Sequence, residues 1–434
     1  MSLKDLKNRV LDAIDNAADD IIEIGDSLWS TPELGYKEFK SSELVEKAYE
    51  DYGWEYENEI AITGSKAYIK NRGRGPVIGV IGELDALRVP DHPDSDDETG
   101  AVHACGHHAQ TTSMLGAGIG LSESGVIDEL KGNVAMVTVP AEEYLELYFR
   151  NSLRDKGEIE FFGGKQEFIH QGALDDVDIS LGTHAASLEE GELVVGGSSN
   201  GFIGKLIRYK GKEAHAGAAP HKGVNALNAA MLGLMGIHAQ RETFKDEDAI
   251  RVHPIITKGG EIVNNVPSDV QMESYVRGRT IDAILDANKK VNRALRAGAE
   301  AVGGEVDIND IPGYMPLIYN EELNDLLDDN CKSLVGESKV IYGGHGTGST
   351  DLGDISCIMP TSRIRMGGVS GSGHSRSYKI LNKELLYVTS SKALALTCID
   401  LLYNNAEKGK AIIDDFTPRI SREEYTRYMH ILVE

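Results

Sequence analysis

Three short apolar runs, each ending in polar residues, constrain the fold of this chain more than anything else in it. Pro76-Val77-Ile78-Gly79-Val80-Ile81-Gly82 is β-branched, bounded by glycines and followed by Glu83-Leu84-Asp85. Residues 134–139 run into Pro140-Ala141-Glu142-Glu143, and residues 177–182 lead to His184. Unbroken apolar runs of this length suit strands buried on both faces, and such strands belong to parallel sheets. Residues 111–124, lying between the first two runs, are small and apolar enough for a buried helix, so a strand-helix-strand crossover is expected. Sites in open α/β sheets form at the C-terminal edge of the strands, where the polar residues fall here.

The texture changes near Gly201. Residues 202–209 alternate as a half-buried strand, 225–240 read as a helix, 252–257 and 270–276 as strands, 281–301 as a helix, and a last strand lies near Val306. This predicts a separate α+β unit. Beyond Pro312-Gly313-Tyr314 helix-like and strand-like segments return, ending in an apolar helix over 384–403. At 434 residues the chain exceeds the size of one core. The simplest division is a catalytic domain over 1–198 and 310–434, interrupted by an inserted domain over 199–309.

Charge narrows the partners. With 69 acidic against 44 basic residues and a net charge of -25, the chain would repel phosphate backbones and anionic membranes, so nucleic acid and membrane are excluded as partners. The four cysteines, at 105, 331, 357 and 398, lack the spacing of a disulfide framework or zinc ribbon and fit a reducing compartment. Acids interrupt the apolar positions of the N-terminal segment, which reads as an amphipathic helix and not as a signal peptide. No run approaches the ~20 apolar residues that span a bilayer. A cytoplasmic location is expected.

Cys105 and His107 stand two apart in His103-Ala104-Cys105-Gly106-His107-His108, just before a helix, so both can face one cavity. Thiolate and imidazole are preferred ligands of zinc and its neighbours. His103 and His108 read as bystanders. The pair Glu142-Glu143 at a strand end allows one carboxylate to bind metal while the other serves as general base. His184 and His374 are flanked by small residues that permit close approach. Asp85 could orient a ligand histidine or cap a helix. The segment 343–350 has two glycines five apart, as a phosphate loop does, but no lysine after the last one; it reads as a wall of the pocket.

In order along the chain, Asp85-Ala86-Leu87, His103-Ala104-Cys105-Gly106-His107, Pro140-Ala141-Glu142-Glu143, Gly211-Lys212-Glu213-Ala214-His215-Ala216-Gly217 and Gly348-Ser349-Thr350-Asp351-Leu352-Gly353-Asp354 carry a resemblance. They are similar to the metal-dependent amidohydrolases and peptidases that include aminoacylases, hippurate hydrolases, plant auxin-conjugate hydrolases and aminobenzoyl-glutamate hydrolases. The last segment looks most like the aminobenzoyl-glutamate branch. The resemblance implies an α/β metallopeptidase-like catalytic domain, with a mixed, mostly parallel sheet flanked by helices. It implies a ferredoxin-like inserted domain acting as lid and dimer contact. Two divalent ions (Zn, Mn, Co or Ni) are implied, held by Cys105, His107, Glu143, His184 and His374, with Cys105 bridging. Glu142 falls on the general base, and Asp85 on the aspartate that supports the metals. His215 falls on a histidine that reaches the partner's site in a homodimer to stabilise the oxyanion, and Asn265 and Arg277 on positions that hold the substrate's carbonyl or carboxylate.

Hydrolysis of an N-acyl or N-aroyl amino acid by metal-activated water is therefore expected. A dipeptidase or carboxypeptidase on the same scaffold and a non-catalytic metal-binding protein are the alternatives. In two places the chain departs from the resemblance: residues 144–150 replace the glycines expected after Glu143 and would place bulk beside the base, and the acidic loop 91–99 is longer than the shortest such loops.

Overall fold

The computed structural model describes residues 1–70 and 75–433. Among these, nine strands build the larger sheet: Glu55–Ile60 (β1), Gly64–Tyr68 (β2), Val77–Glu83 (β3), Asn133–Val139 (β4), Ile179–Ser187 (β5), Leu193–Val195 (β6), Val340–Tyr342 (β7), Thr361–Ser370 (β8) and Lys379–Ile380 (β9). Their order across the sheet is β1-β2-β4-β3-β5-β8-β6-β7, with β9 on β8. The central four, β4, β3, β5 and β8, are mutually parallel. Antiparallel pairs lie toward both margins, so the sheet is mixed around a parallel heart. Every residue of β4 and all but the first of β3 are buried, as their unbroken apolar runs require. Strand β5 runs on to Ser187, which puts His184 inside the strand and not beyond its end.

The crossover helix is His107–Glu123, four residues longer at its start than the apolar pattern predicts. Residues 107–121 are all buried, so no polar stripe marks its beginning in the sequence. Gly106, at φ +87°, turns the chain into this helix, and a Cβ there would stand 2.5 Å from that of Ala185. Two helices, Leu3–Asn16 and Ala18–Trp29, replace the single opening helix, with the break at Ala17. The last apolar helix begins as expected but does not end at 403. The backbone leaves the helical region over residues 403–406, then resumes to Asp415. By length and composition Glu384–Asp415 could cross a bilayer, contrary to the reading of the sequence, yet 89% of its most apolar window is buried in the protein. That apolarity serves core packing.

A second sheet occupies residues 201–312. Its strands, Arg251–Lys258, Asp269–Gly278, Gly201–Lys210 and Glu305–Pro312, lie in that spatial order and are antiparallel throughout. With helices Ala226–Ala239 and Ile281–Glu300 the chain order is βαββαβ, a ferredoxin-like arrangement. Burial alternates along Asp269–Gly278, and Val270, Met272 and Val276 join Ala230, Val291 and Leu295 in a core of their own. Tyr144, Phe202, Tyr275 and Tyr314 pack edge-on or tilted at the junction with the main sheet, with ring centroids 4.8–6.0 Å apart. Interlocked aromatic rings of this kind fix the two sheets firmly beside the site.

Candidate metal centre and active site

Three turns and one strand at the C-terminal edge of the parallel sheet converge on one cavity of about 660 Å³. Cys105 and His107 flank Gly106 at the start of the crossover helix, Glu142 and Glu143 follow β4, His184 projects from β5, and His374 sits on the turn between β8 and β9. The donor atoms of Cys105, His107 and His184 lie within 4.8 Å of one another, and so do those of Cys105, Glu143 and His374. All five residues expected to bind metal are thus together, in two triads that share Cys105. A third group, Glu83, His107 and Glu142, is fully buried beside them.

Hydrogen bonds aim these donors. His107 Nδ1 donates to the main-chain oxygen of Asp85 at 2.8 Å and lies 3.0 Å from its Oδ1, while Asp85 Oδ2 accepts from the Glu143 N–H at 2.8 Å. Asp85 therefore braces two of the donor residues and caps no helix. The His107 tautomer leaves Nε2 turned inward, buried and without a hydrogen bond. In the same way His184 Nδ1 donates to the Ala185 carbonyl at 2.7 Å, leaving Nε2 3.7 Å from Cys105 Sγ. His374, at φ +59°, is held in the left-handed region by its N–H to the Ala104 carbonyl at 3.0 Å, which places Nε2 3.1 Å from Glu143 Oε1. Such strain is tolerated where geometry matters more than ease of folding.

The paired glutamates differ in charge. Burial would raise the Glu143 carboxyl, but its hydrogen bond with His374 and that residue's charge hold it at about 2. Burial, reinforced by the neighbouring Glu83, pushes Glu142 well above the usual carboxylate range. Burial also raises the Cys105 thiol, helped by Glu143. One carboxylate of the pair is thus poised as an anion and the other to hold a proton.

Sequence reading missed the ion network beneath. Lys165 Nζ lies 2.7 Å from Glu83 Oε1 and 2.5 Å from Asp351 Oδ1, and all three side chains are buried. Glu83 Oε2 in turn lies 3.0 Å from His107 Nε2. Burial disfavours the Glu83 anion, but Lys165, His107, His184 and Arg363 together outweigh it and keep the group ionised. Residues 144–150 do not add bulk to the cavity, because none of them lines it. Arg150, buried under the Glu142 turn, donates to the carbonyls of Ala141, Phe162 and Glu143, and Tyr314 Oη donates to the Glu142 carbonyl at 2.6 Å. The inserted segment supports the left-handed turn at Ala141 (φ +56°) from below.

The remaining residues separate cleanly. His103 and His108 are buried away from both triads, His108 Nε2 being 3.1 Å from Tyr387 Oη. Arg277 and residues 344 and 346–350 line the cavity, whereas Asn265 and His215 do not. Those two face each other in an isolated bridge, and His215 is exposed, its Nδ1 accepting from the Gly217 and Ala218 N–H groups at 3.2 and 3.1 Å.

Known proteins resemble this chain in sequence and fold. The Xaa-Arg dipeptidase of Mus musculus is 28% identical over 423 residues, covering 92% of this chain and 90% of that protein. An IAA-amino acid hydrolase of Arabidopsis thaliana is 25% identical over 381 residues, covering 82% and 80%. In the crystal structure of a dinuclear metal-binding peptidase from Bacillus subtilis the fold recurs with a TM-score of 0.62 at 21% identity, over 88% of this chain and 98% of that one. The profile of peptidase family M20/M25/M40 matches residues 79–395, which include every donor residue described above, and the chain belongs to that family.

Proposed function

We propose that this protein is a two-metal hydrolase that cleaves the amide bond between an acyl or aroyl group and an amino acid. The observation that carries this reading is the pair of donor triads sharing Cys105, with Glu142 in the same cavity but in neither triad. Cys105, His107 and His184 would hold one divalent ion, and Cys105, Glu143 and His374 the other. The donor set fits: His107 Nε2 is buried and makes no aligned hydrogen bond, with only the Glu83 carboxylate 3.0 Å away, and a thiol disfavoured as an anion by burial is what a bound cation reverses. Zinc, manganese, cobalt and nickel all suit mixed S, N and O donors. When bound, such ions polarise a carbonyl and lower the pKa of water toward ~7.

The chain's own groups do the proton work. Glu142 takes a proton from the attacking water as the C–O bond forms, then delivers it to the amide nitrogen as the C–N bond breaks. A carboxylate with a raised pKa suits both halves of that transfer. Arg277, at the cavity wall, takes the substrate's carboxylate. The products are a carboxylate and a free amino acid. In the cytoplasm, where we place the protein, all four free thiols stay reduced.

A homodimer would complete the site through His215 and Asn265 of the inserted unit. In its support, that unit exposes Met231, Leu232 and Met235 on one helix, with Ile255 and Ile256 on an edge strand, a surface that a second copy would cover. His215→Ala should lower kcat about 100-fold, as loss of an oxyanion donor does. Mixing it with Glu142→Gln chains should restore activity, since mixed dimers carry one intact composite site. Full activity in His215→Ala alone removes the residue from the site.

The direct test is turnover of N-acyl amino acids, aminobenzoyl-glutamate and dipeptides by metal-reconstituted protein. Chelation should abolish activity, and metal analysis after reconstitution should give two ions per chain in the parent and fewer with Cys105→Ser. Turnover by the metal-free chain sinks the reading. The similarity to a dipeptidase favours a second one, dipeptide hydrolysis, marked by an absolute need for a free α-amino group in the substrate.

A further inference from the structure

The turn that carries Glu142 is held from behind by Tyr314, whose Oη donates to the Glu142 carbonyl at 2.6 Å. Tyr314 lies where the inserted domain returns to the main sheet, and its two peptide neighbours are themselves tied down. Gln166 Nε2 donates to the Gly313 carbonyl at 2.7 Å, and the Met315 N–H donates to Asp354 Oδ2 at 3.2 Å. Asp354 Oδ1 accepts from Tyr425 Oη at 2.7 Å. Gln166, Asp354 and Tyr425 are fully buried. A line of contacts therefore runs from the C-terminal helix, Arg422–Ile431, through Asp354 and Tyr314 to the proton carrier.

The helix is placed by its own sequence. Ser421 caps its start, accepting from the Glu424 N–H at 3.3 Å, and Tyr425 and Met429, one turn apart, form its buried face. Arginines fasten the approach: Arg419 donates to the Pro316 carbonyl at 3.2 Å and to Ser356 Oγ at 2.8 Å, and Arg422 to the Val177 carbonyl at 2.6 Å. On the facing side, a Cβ at Gly353 would overlap the Met315 carbonyl, so glycine there lets the Asp354 turn reach the 313–316 segment. Asp354 has no cationic partner among the described residues, and burial pushes its carboxyl up to about 8. A buried carboxyl without a cation is unfavourable, and packing alone would be served by an apolar residue. What the carboxyl supplies is two acceptor oxygens, one for the Met315 N–H and one for Tyr425.

We propose that Asp354 and Tyr425 are positioning residues for Glu142, which they touch nowhere: from the C-terminal helix they set Tyr314, and Tyr314 sets the turn that carries the base. This rests on the reading of Glu142 as proton carrier. A small displacement of a reacting group caused far from the chemistry is enough to lower its rate. The family profile ends at residue 395, short of this helix, so the brace is read from this chain's own contacts.

The test uses the metal-reconstituted full chain and its best amide substrate. Asp354→Ala should lower kcat about 10-fold, the scale of a lost buried hydrogen bond, with KM and metal content unchanged. Tyr314→Phe should do the same. Because both act along one path, the double variant should fall no more than about 2-fold below the worse single one, whereas independent damage would multiply to about 100-fold. Should Asp354→Ala fail to fold, Tyr425→Phe takes its place in the cycle with a loss of about 3-fold. Unchanged kcat, or losses that multiply, overturns the proposal. If no amide is hydrolysed, the amide-hydrolase reading fails, and the brace is judged by hydrogen exchange alone. Amides over 141–145 should then exchange about 10-fold faster in Tyr425→Phe than in the parent, with the inserted helix Ala226–Ala239 unaltered. Equal exchange at 141–145, or faster exchange in both segments, overturns the brace.

Discussion

Glu142→Gln is expected to lower kcat on the best amide substrate by about 10³-fold, while the variant still binds its full complement of metal. The substitution keeps the shape and one acceptor of the side chain but removes the ability to carry a proton. Glu142 belongs to neither donor triad that shares Cys105, so the donors stay in place. Its backbone is fixed independently, by Tyr314 on the carbonyl and by the turn at Ala141, so the chain should not rearrange. Glu143→Gln makes the contrast: that carboxylate sits within a triad, 3.1 Å from His374, and its loss should lower metal content together with rate. The measurements are kcat and metal stoichiometry on the same preparations. If Glu142→Gln retained activity within about 10-fold of the parent, the proton carrier would have to be another group. Glu83 is the other carboxylate nearby, and it is a poor substitute because Lys165 holds it as an ion-paired anion.

The parts of this site legible in the sequence were those delivered by local pattern. A buried parallel strand announces itself by an unbroken β-branched run, and whatever follows it lies at the sheet edge, which is how Asp85, Glu142 and Glu143 could be placed. Cys105 and His107 stood out because two soft donors flanked a glycine. Glu83 escaped although it adjoins the same run, because a carboxylate ending a strand reads equally well as exposed. Nothing local marks Lys165, whose meaning comes from Glu83 and Asp351, 82 and 186 residues away in the chain. The four arginines that line the cavity could not be grouped for the same reason: Arg251 and Arg277 lie in one sheet, Arg363 and Arg365 in the other. Residues 144–150 misled for a different reason. Bulky side chains after the base suggested a crowded pocket, but Arg150 turns beneath the backbone to satisfy three carbonyls, which composition alone does not reveal.

Lys165→Met should destabilise the metal-free protein by about 3–5 kcal/mol, the range for removing one partner of a buried ion pair. The lysine is the only cation touching either Glu83 or Asp351 among the described residues at ion-pair distance, apart from the His107 ring near Glu83. Methionine matches the lysine stem in length, so little packing is lost and the change isolates the charge. Two buried carboxylates would then lose the cation they share, and each is pressed to take up a proton or admit water. Gln110, which donates to Glu83 at 2.5 Å, can stabilise an anion but cannot neutralise it. Adding Glu83→Gln and Asp351→Asn to Lys165→Met should recover much of the loss, since a neutral trio avoids the desolvation of charge altogether. Denaturant midpoints, with unchanged slope, measure the effect as stability and not as altered compactness. A loss within about 1 kcal/mol would mean that water reaches the network and screens it. The network also has a bearing on function. Glu83 stands 3.0 Å from His107 Nε2, so a carboxylate released from Lys165 would be free to compete for that nitrogen, and Lys165→Met should lose metal more readily than the triple variant does. Equal metal retention in the two would confine Lys165 to holding the fold.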